Sequence, residues 1–137
     1  MHQVTDVSTA TTLKTYYFYQ FYNFLKLDIL FPVGDNVKMK YEITSTKQFD
    51  KWFSRLKDSS VKIRVLGRLN RIENGNFGDF KQINPNLFEL RFFFGAGFRI
   101  YYTIQNDMVV ILLVGGDKSS QEKDITKASE LLAKLEG

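Results

Sequence analysis

The chain has 137 residues, enough for one domain with a substantial core. It contains no cysteine and only one histidine, His2, which excludes disulfides and thiolate metal sites and argues against histidine catalysis, so we predict no metal and no cofactor. The net charge is +4, but the segment from Lys47 to Arg99 contains eleven Lys or Arg residues and only five Asp or Glu residues. This local excess favours a polyanionic partner, either nucleic acid or an acidic protein segment.

Residues 1–38 differ in composition from the rest of the chain. They hold eight of the 21 aromatic residues, with no clear helical or strand period. Polar residues interrupt the run, which makes it a poor transmembrane segment, and no signal peptide is evident. We therefore predict a cytoplasmic protein without membrane association. Our hypothesis is that residues 1–38 are an N-terminal extension from an over-extended reading frame, or disordered, and that the functional domain is 39–137.

After Met39 the pattern becomes regular, beginning with a strand predicted at Lys40–Thr44. Ser45 then occupies the N-cap of a predicted helix, with Gln48 at the capping-box position. A second helix ends at Gly75, read as a C′ glycine. The inward stripes are Phe49, Trp52, Phe53 and Leu56 in the first helix and Val61, Val65, Leu69 and Ile72 in the second.

Two stretches with period two, Leu87–Phe93 and Phe98–Ile104, flank a Gly95-Ala96-Gly97 turn and predict a hairpin. In this register Arg91 lies opposite Arg99, a like-charge pair that costs stability unless an anion such as Glu89 or a phosphate lies over it. The predicted core face carries Phe88, Leu90, Phe92, Phe98, Ile100, Tyr102 and Ile104. The predicted open face carries Glu89, Arg91, Arg99, Tyr101 and Thr103.

The continuously apolar stretch Met108–Val114 predicts a strand buried on both faces. It leads through two glycines and Lys118 into a last helix over about Ser119–Leu135, with Ser119 as the predicted N-cap. Its inward residues are Ile125, Ala128, Leu132 and Leu135. The predicted order is β-α-α-β-β-β-α, an α+β domain with helices packed on one side of a mostly antiparallel, twisted sheet.

This order, together with its motifs, resembles the RelE/ParE superfamily of toxin–antitoxin toxins, and most closely the HigB-like branch of addiction-module killer proteins. The resemblance covers about Met39–Ala133. It is carried by these residues in their order and spacing: Phe49-Asp50-Lys51-Trp52, Arg68-Leu69-Asn70-Arg71, Gly75–Lys81, Glu89-Leu90-Arg91, Gly95–Tyr102 and Gly115–Gln121 with Asp124-Ile125.

The resemblance implies a small bacterial or prophage toxin, an endoribonuclease that blocks translation by metal-independent mRNA cleavage on the ribosome and causes growth arrest. It also implies neutralisation by a cognate antitoxin, usually a small helix-turn-helix protein. ParE relatives poison DNA gyrase instead, so the fold leaves two alternatives open. These are a non-catalytic gyrase inhibitor and an inactive prophage remnant that retains only antitoxin binding.

The resemblance also implies roles for individual residues. Arg99 matches the family's principal phosphate-binding arginine, and Lys118 matches the basic residue after the last strand, which stabilises the transition state or protonates the leaving oxygen. Asp124 or Asp117 would be the base, since the tyrosine or histidine of some relatives is missing here. The predicted catalytic residues are Arg99, Lys118, Arg91 and Asp124. The predicted RNA-binding residues are Lys81, Arg68, Arg71, Tyr101, for base stacking, and Gln121.

Overall fold

A computed structural model describes residues 40–136, so residues 1–38 and the hypothesis about their origin lie outside the described residues. Within the described range the predicted α+β class is confirmed. The strands are β1 (Glu42–Ser45), β2 (Phe80–Asn84), β3 (Leu87–Arg91), β4 (Arg99–Gln105) and β5 (Val109–Gly116). The helices are α1 (Lys47–Arg55), α2 (Ser59–Glu73) and α3 (Gln121–Glu136), the last preceded by a 3-10 turn at Lys118–Ser120.

The five strands form one sheet in the order β1-β5-β4-β3-β2. β1 is parallel to β5 and the other pairs are antiparallel, so the prediction of a mostly antiparallel sheet is confirmed. The predicted number of strands, four, was wrong, because the pattern predicts no strand between Gly75 and Leu87, where β2 lies. β2 is an edge strand whose side chains are nearly all exposed, and it therefore lacks the alternation by which a strand is recognised.

Helices cover both faces of this sheet, which corrects the prediction that they all pack on one side. α1 and α2 pack with Leu90, Ile100 and Leu112 on one face. α3 packs with Tyr101 and Leu113 on the other. The burial of β5 on both faces is confirmed, and it requires this arrangement, because a strand that is apolar on both sides must be covered on both sides.

Two predicted helix caps are also corrected. Thr46, not Ser45, caps α1: its hydroxyl accepts from the Phe49 N–H at 3.1 Å and donates to the Leu113 carbonyl at 2.7 Å. Asp117, not Ser119, caps the turn before α3, accepting from the Ser119 N–H at 2.8 Å. In both cases the cap is the residue that still has extended backbone angles, and the sequence offers several suitable side chains in a row.

Gly115 and Gly116, at the end of β5, let two side chains lie directly on the sheet. A Cβ on Gly115 would overlap the Trp52 ring of α1, and a Cβ on Gly116 would overlap the Asp124 carboxylate of α3. The glycines therefore bring a helix close on each face of the sheet, and the Gly116 contact sets the position of the start of α3.

We expect Gly115→Ala to lower the free energy of unfolding by about 2 kcal/mol, because the added methyl group forces the rigid Trp52 ring to move. Urea denaturation measures this change. In a Trp52→Leu background the same substitution should cost clearly less, since the ring is gone. An equal cost in both backgrounds would show that the close approach of Trp52 is not the cause.

Candidate functional site

The predicted pairing of two arginines across the hairpin is confirmed, since Arg91 lies opposite Arg99 in the ladder. Each guanidinium has its own carboxylate. Arg99 Nη1 lies 3.1 Å from Glu89 Oε1, and Arg91 donates to both oxygens of Asp79 at 3.1 and 3.2 Å. The carboxylates offset the repulsion, and the expectation that Glu89 would serve as an anion here is also confirmed.

Glu89 is the centre of a buried hydrogen-bond network on the α3 face of the sheet. Its side chain is 0% exposed and accepts from Arg99, from the Tyr101 hydroxyl at 2.9 Å and from Gln121 Nε2 at 2.8 Å. Three donors, one of them charged, compensate for the removal of this carboxylate from water. The predicted open face is therefore not open at this point, because α3 covers it.

Tyr101 lies in the protein interior, packed under α3, and does not face solvent. It is fully buried, and burial together with its hydrogen bond to Glu89 raises the pKa of the Tyr101 phenol far above its usual range, so it remains a neutral donor. The prediction that Tyr101 stacks on an RNA base is wrong, since no face of the ring is accessible. The sequence predicted on which face of the strand Tyr101 lies, but it did not predict that α3 covers that face.

Arg99 and Lys118 lie at the same end of the sheet. Arg99 pairs with Gly116 in the ladder, and Lys118 follows two residues later. The Lys118 stem lies against the hairpin turn, where a Cβ on Gly97 would be 3.5 Å from the Lys118 Cβ. Lys118 is exposed and forms no ion pair within residues 40–136, whereas only 14% of the Arg99 side chain is exposed.

Asp124 lies beside this end of the sheet, over Gly116. The Ser120 hydroxyl donates to Asp124 Oδ2 at 2.5 Å. Burial is the main cause that raises the pKa of the Asp124 carboxyl, and the Ser120 hydrogen bond opposes it. Asp117, the other predicted base, is occupied as a cap by the Ser119 N–H and hydroxyl.

The remaining predicted RNA-binding residues are divided between the two faces. Lys81 lies on β2 opposite Glu89 and is exposed. Arg68 and Arg71 lie on α2, which covers the other face of the sheet from α3. Arg68 donates to the carbonyls of Arg91, Phe77 and Asp79 at 2.7 to 3.1 Å, so its guanidinium holds the hairpin and the preceding loop against α2.

A groove on the α2 side runs between that helix and the turn that connects β3 to β4. It encloses about 470 Å³, and we call it the α2 groove. Arg91 lines it and also neighbours Arg99 in the ladder, so this residue lies between the two regions. The groove is lined by Ile63, Arg64, Gly67, Arg68, Arg71, Asp79, Arg91, Phe92, Phe93 and Phe94.

We expect the two strand arginines to differ sharply in their contribution to stability. Arg99→Ala leaves the Glu89 carboxylate buried without its charged partner and should lower the free energy of unfolding by about 3 kcal/mol. Arg91→Ala breaks an ion pair whose side chains are 33% and 38% exposed, and should cost about 1 kcal/mol or less. Urea denaturation of both variants tests this, and equal losses would contradict the assigned difference in burial.

The raised pKa of Asp124 predicts a pH-dependent effect of Asp124→Asn. The carboxyl binds its proton more tightly in the folded protein than in the unfolded chain. Its contribution to the free energy of unfolding is therefore fully present below the ordinary pKa of 3.8, and it is lost as the pH rises through the pKa of the folded protein. Asn cannot ionise, so at pH 7 the variant should be modestly more stable than the parent protein, with the gain absent at pH 3. A gain at pH 3 that is absent at pH 7 would reverse the assigned direction.

Within residues 40–136, no helix is long and apolar enough to cross a membrane. In the same range, no three His, Cys, Asp or Glu side chains form a group that could hold a metal ion.

Comparison with known proteins places the chain in a family. Residues 51–133 match the family described as Phage derived protein Gp49-like (DUF891). A protein of Haemophilus influenzae described as an uncharacterized protein is 46% identical over 97 residues, which span 71% of this chain and 98% of that protein. No solved structure gives a significant match to the chain. The chain therefore belongs to the Gp49-like family of phage-derived proteins, a RelE-type, toxin-like family of toxin–antitoxin systems.

Proposed function

We propose that this protein is the toxin of a toxin–antitoxin pair, of the HigB-like kind, and that it inhibits translation by cutting mRNA on the ribosome without a metal. The observation that carries the proposal is the placement of Arg99 and Lys118 at one end of the sheet, with Arg91 beside them. Membership in a toxin-like family supports the toxin class and an antitoxin partner, the latter expected to be a small helix-turn-helix protein.

The chemistry requires cationic donors held in fixed positions. The 2′-hydroxyl attacks the adjacent phosphorus, a cyclic phosphate forms, and the 5′-oxygen leaves with a proton. Negative charge grows on the phosphoryl oxygens during this step, and a guanidinium fixed in advance stabilises it well. Glu89 supplies that fixation, because its contact at 3.1 Å holds Arg99 while occupying one of the five guanidinium N–H donors.

The other roles follow from exposure and charge. Lys118 is the freely accessible cation of the site and would protonate the leaving oxygen or neutralise the charge that develops on it. Of the two candidate bases Asp124 is favoured, since Asp117 is occupied as a cap. Arg91 and Lys81 would hold the RNA backbone, and for Arg91 exchange of the partly exposed Asp79 for a phosphate costs little.

One observation favours a second candidate, a non-catalytic inhibitor such as a gyrase-binding ParE relative. Both strand arginines are paired with carboxylates, which offsets part of the positive charge that a phosphate ligand would use. Such an inhibitor would arrest growth without cutting mRNA. An inactive prophage remnant would cause neither effect and would still bind its antitoxin.

We expect Lys118→Gln to reduce mRNA cleavage by about a hundredfold, because it removes an exposed cation from the reacting phosphate. The Lys118 main chain donates to the Ala96 carbonyl and its stem lies against the hairpin turn. Gln keeps both contacts, so folding should be unaffected. The measurement is cleavage mapping of cellular mRNA after induction of the full chain. Lys57→Gln is the matched control, since Lys57 is an exposed lysine in the α1–α2 connection.

Arg99→Lys provides a second variant that keeps a positive charge next to Glu89 while removing the planar guanidinium. It should lose cleavage and keep more stability than Arg99→Ala. In-frame cuts that disappear in Lys118→Gln and Arg99→Lys, but not in Lys57→Gln, would support the nuclease. Growth arrest without cuts in the parent protein would refute the nuclease and leave gyrase as the next target to assay.

A further inference from the structure

The α2 groove combines exposed apolar groups with an excess of positive charge. Phe93 is 77% exposed and Ile63 is 37% exposed, both high for large apolar side chains. The lining includes four arginines and one aspartate, an excess of three positive charges. Arg71 and Arg64 are exposed on α2. The groove therefore presents an apolar patch edged by cations, which is the complement of an acidic segment with an apolar anchor.

Two of the three aromatic rings that line the groove, Phe92 and Phe94, offer little free surface on which a nucleic acid base could stack. Guanidinium groups already lie over all three rings: Arg64 is 4.5 Å from the Phe94 centroid, Arg68 4.6 Å from Phe92, and Arg91 5.7 Å from Phe93. A base that stacks needs a free ring face. Phe92 is also buried, and the large exposed apolar surface that remains belongs to Phe93 and Ile63, which an apolar side chain can contact.

The arginines are, in contrast, well placed for carboxylates. A guanidinium held flat over a ring keeps its N–H edge available and loses little conformational entropy when it binds a carboxylate. The Arg64 guanidinium lies over the Phe94 ring, 4.5 Å from its centroid. Arg68 is occupied by three backbone carbonyls, and Arg91 pairs with Asp79. Arg64 and Arg71 are the two exposed arginines of the lining and are the cations that we assign to a protein partner.

We propose that the α2 groove is a docking site for an acidic protein segment, which places one large apolar side chain beside Phe93 and Ile63 and carboxylates against Arg64 and Arg71. This inference goes beyond the proposed RNA cleavage and does not depend on it, because the groove lies on the α2 side while Glu89, Arg99 and Gln121 lie under or beside α3. It also assigns Arg71 to a protein partner instead of RNA.

The test measures binding of a short fluorescein-labelled peptide of Glu and Asp with central Leu and Phe residues to the full-length protein by fluorescence anisotropy. A second peptide of equal charge, with Ser in place of Leu and Phe, reports on charge alone. A single-stranded RNA oligonucleotide serves as the third probe. Phe93→Ser and Arg64→Gln remove the apolar and the cationic part of the groove. Met108→Ser, 54% exposed in the parent protein, and Arg55→Gln, at the exposed end of α1, are the matched controls.

We expect the Leu/Phe peptide to bind more tightly than the Ser peptide, and each groove variant to weaken it about tenfold or more while the controls leave it nearly unchanged. RNA binding and mRNA cleavage should survive Phe93→Ser. Equal binding of both peptides, or equal losses in the control variants, would overturn the proposal. Loss of RNA binding in Phe93→Ser would show instead that the groove is an RNA site. Since the peptide assay does not measure cleavage, the two proposals fail separately.

Discussion

The hydrogen bonds to the buried carboxylate of Glu89 hold together the end of the sheet where Arg99 lies. The carboxylate joins β3, β4 and α3 through Arg99, Tyr101 and Gln121. A carboxylate removed from water is stable only if donors surround it, and each of these donors is thereby fixed in position. The same contact that relieves the repulsion between the two arginines also orients Arg99.

The two strand arginines face each other in the ladder but differ in their surroundings. Arg99 is held by a fully buried partner, whereas Arg91 and Asp79 form a partly exposed pair. The first arrangement suits a group that must be oriented before a phosphate arrives. In the second arrangement another anion can readily replace the Asp79 carboxylate, which suits an arginine that would hold an RNA backbone or a protein partner. The two arginines that lie opposite each other therefore differ in how firmly each guanidinium is held and in how much of it is exposed.

The layering of the fold separates two charged surfaces. Because β5 is apolar on both faces, helices must cover both sides of the sheet, with α1 and α2 on one side and α3 on the other. The Arg99 end opens beside α3, and the α2 groove lies across the sheet from it. Arg91 lines the groove and also lies opposite Arg99 in the ladder, so it is next to both surfaces.

The sequence by itself determined the local features: the α+β class, the inward stripes of the helices, the hairpin register that opposes Arg91 and Arg99, and the glycine that ends α2. Each depends on periodicity or on a turn residue and is therefore readable over a few positions. The tertiary structure alone decided that β2 joins the sheet, that α3 buries Glu89 and Tyr101, and that Arg68 clamps a loop while Lys118 stays free. These outcomes depend on which distant segment covers a given face. The pattern of one strand marks two faces, but it does not say what lies on each.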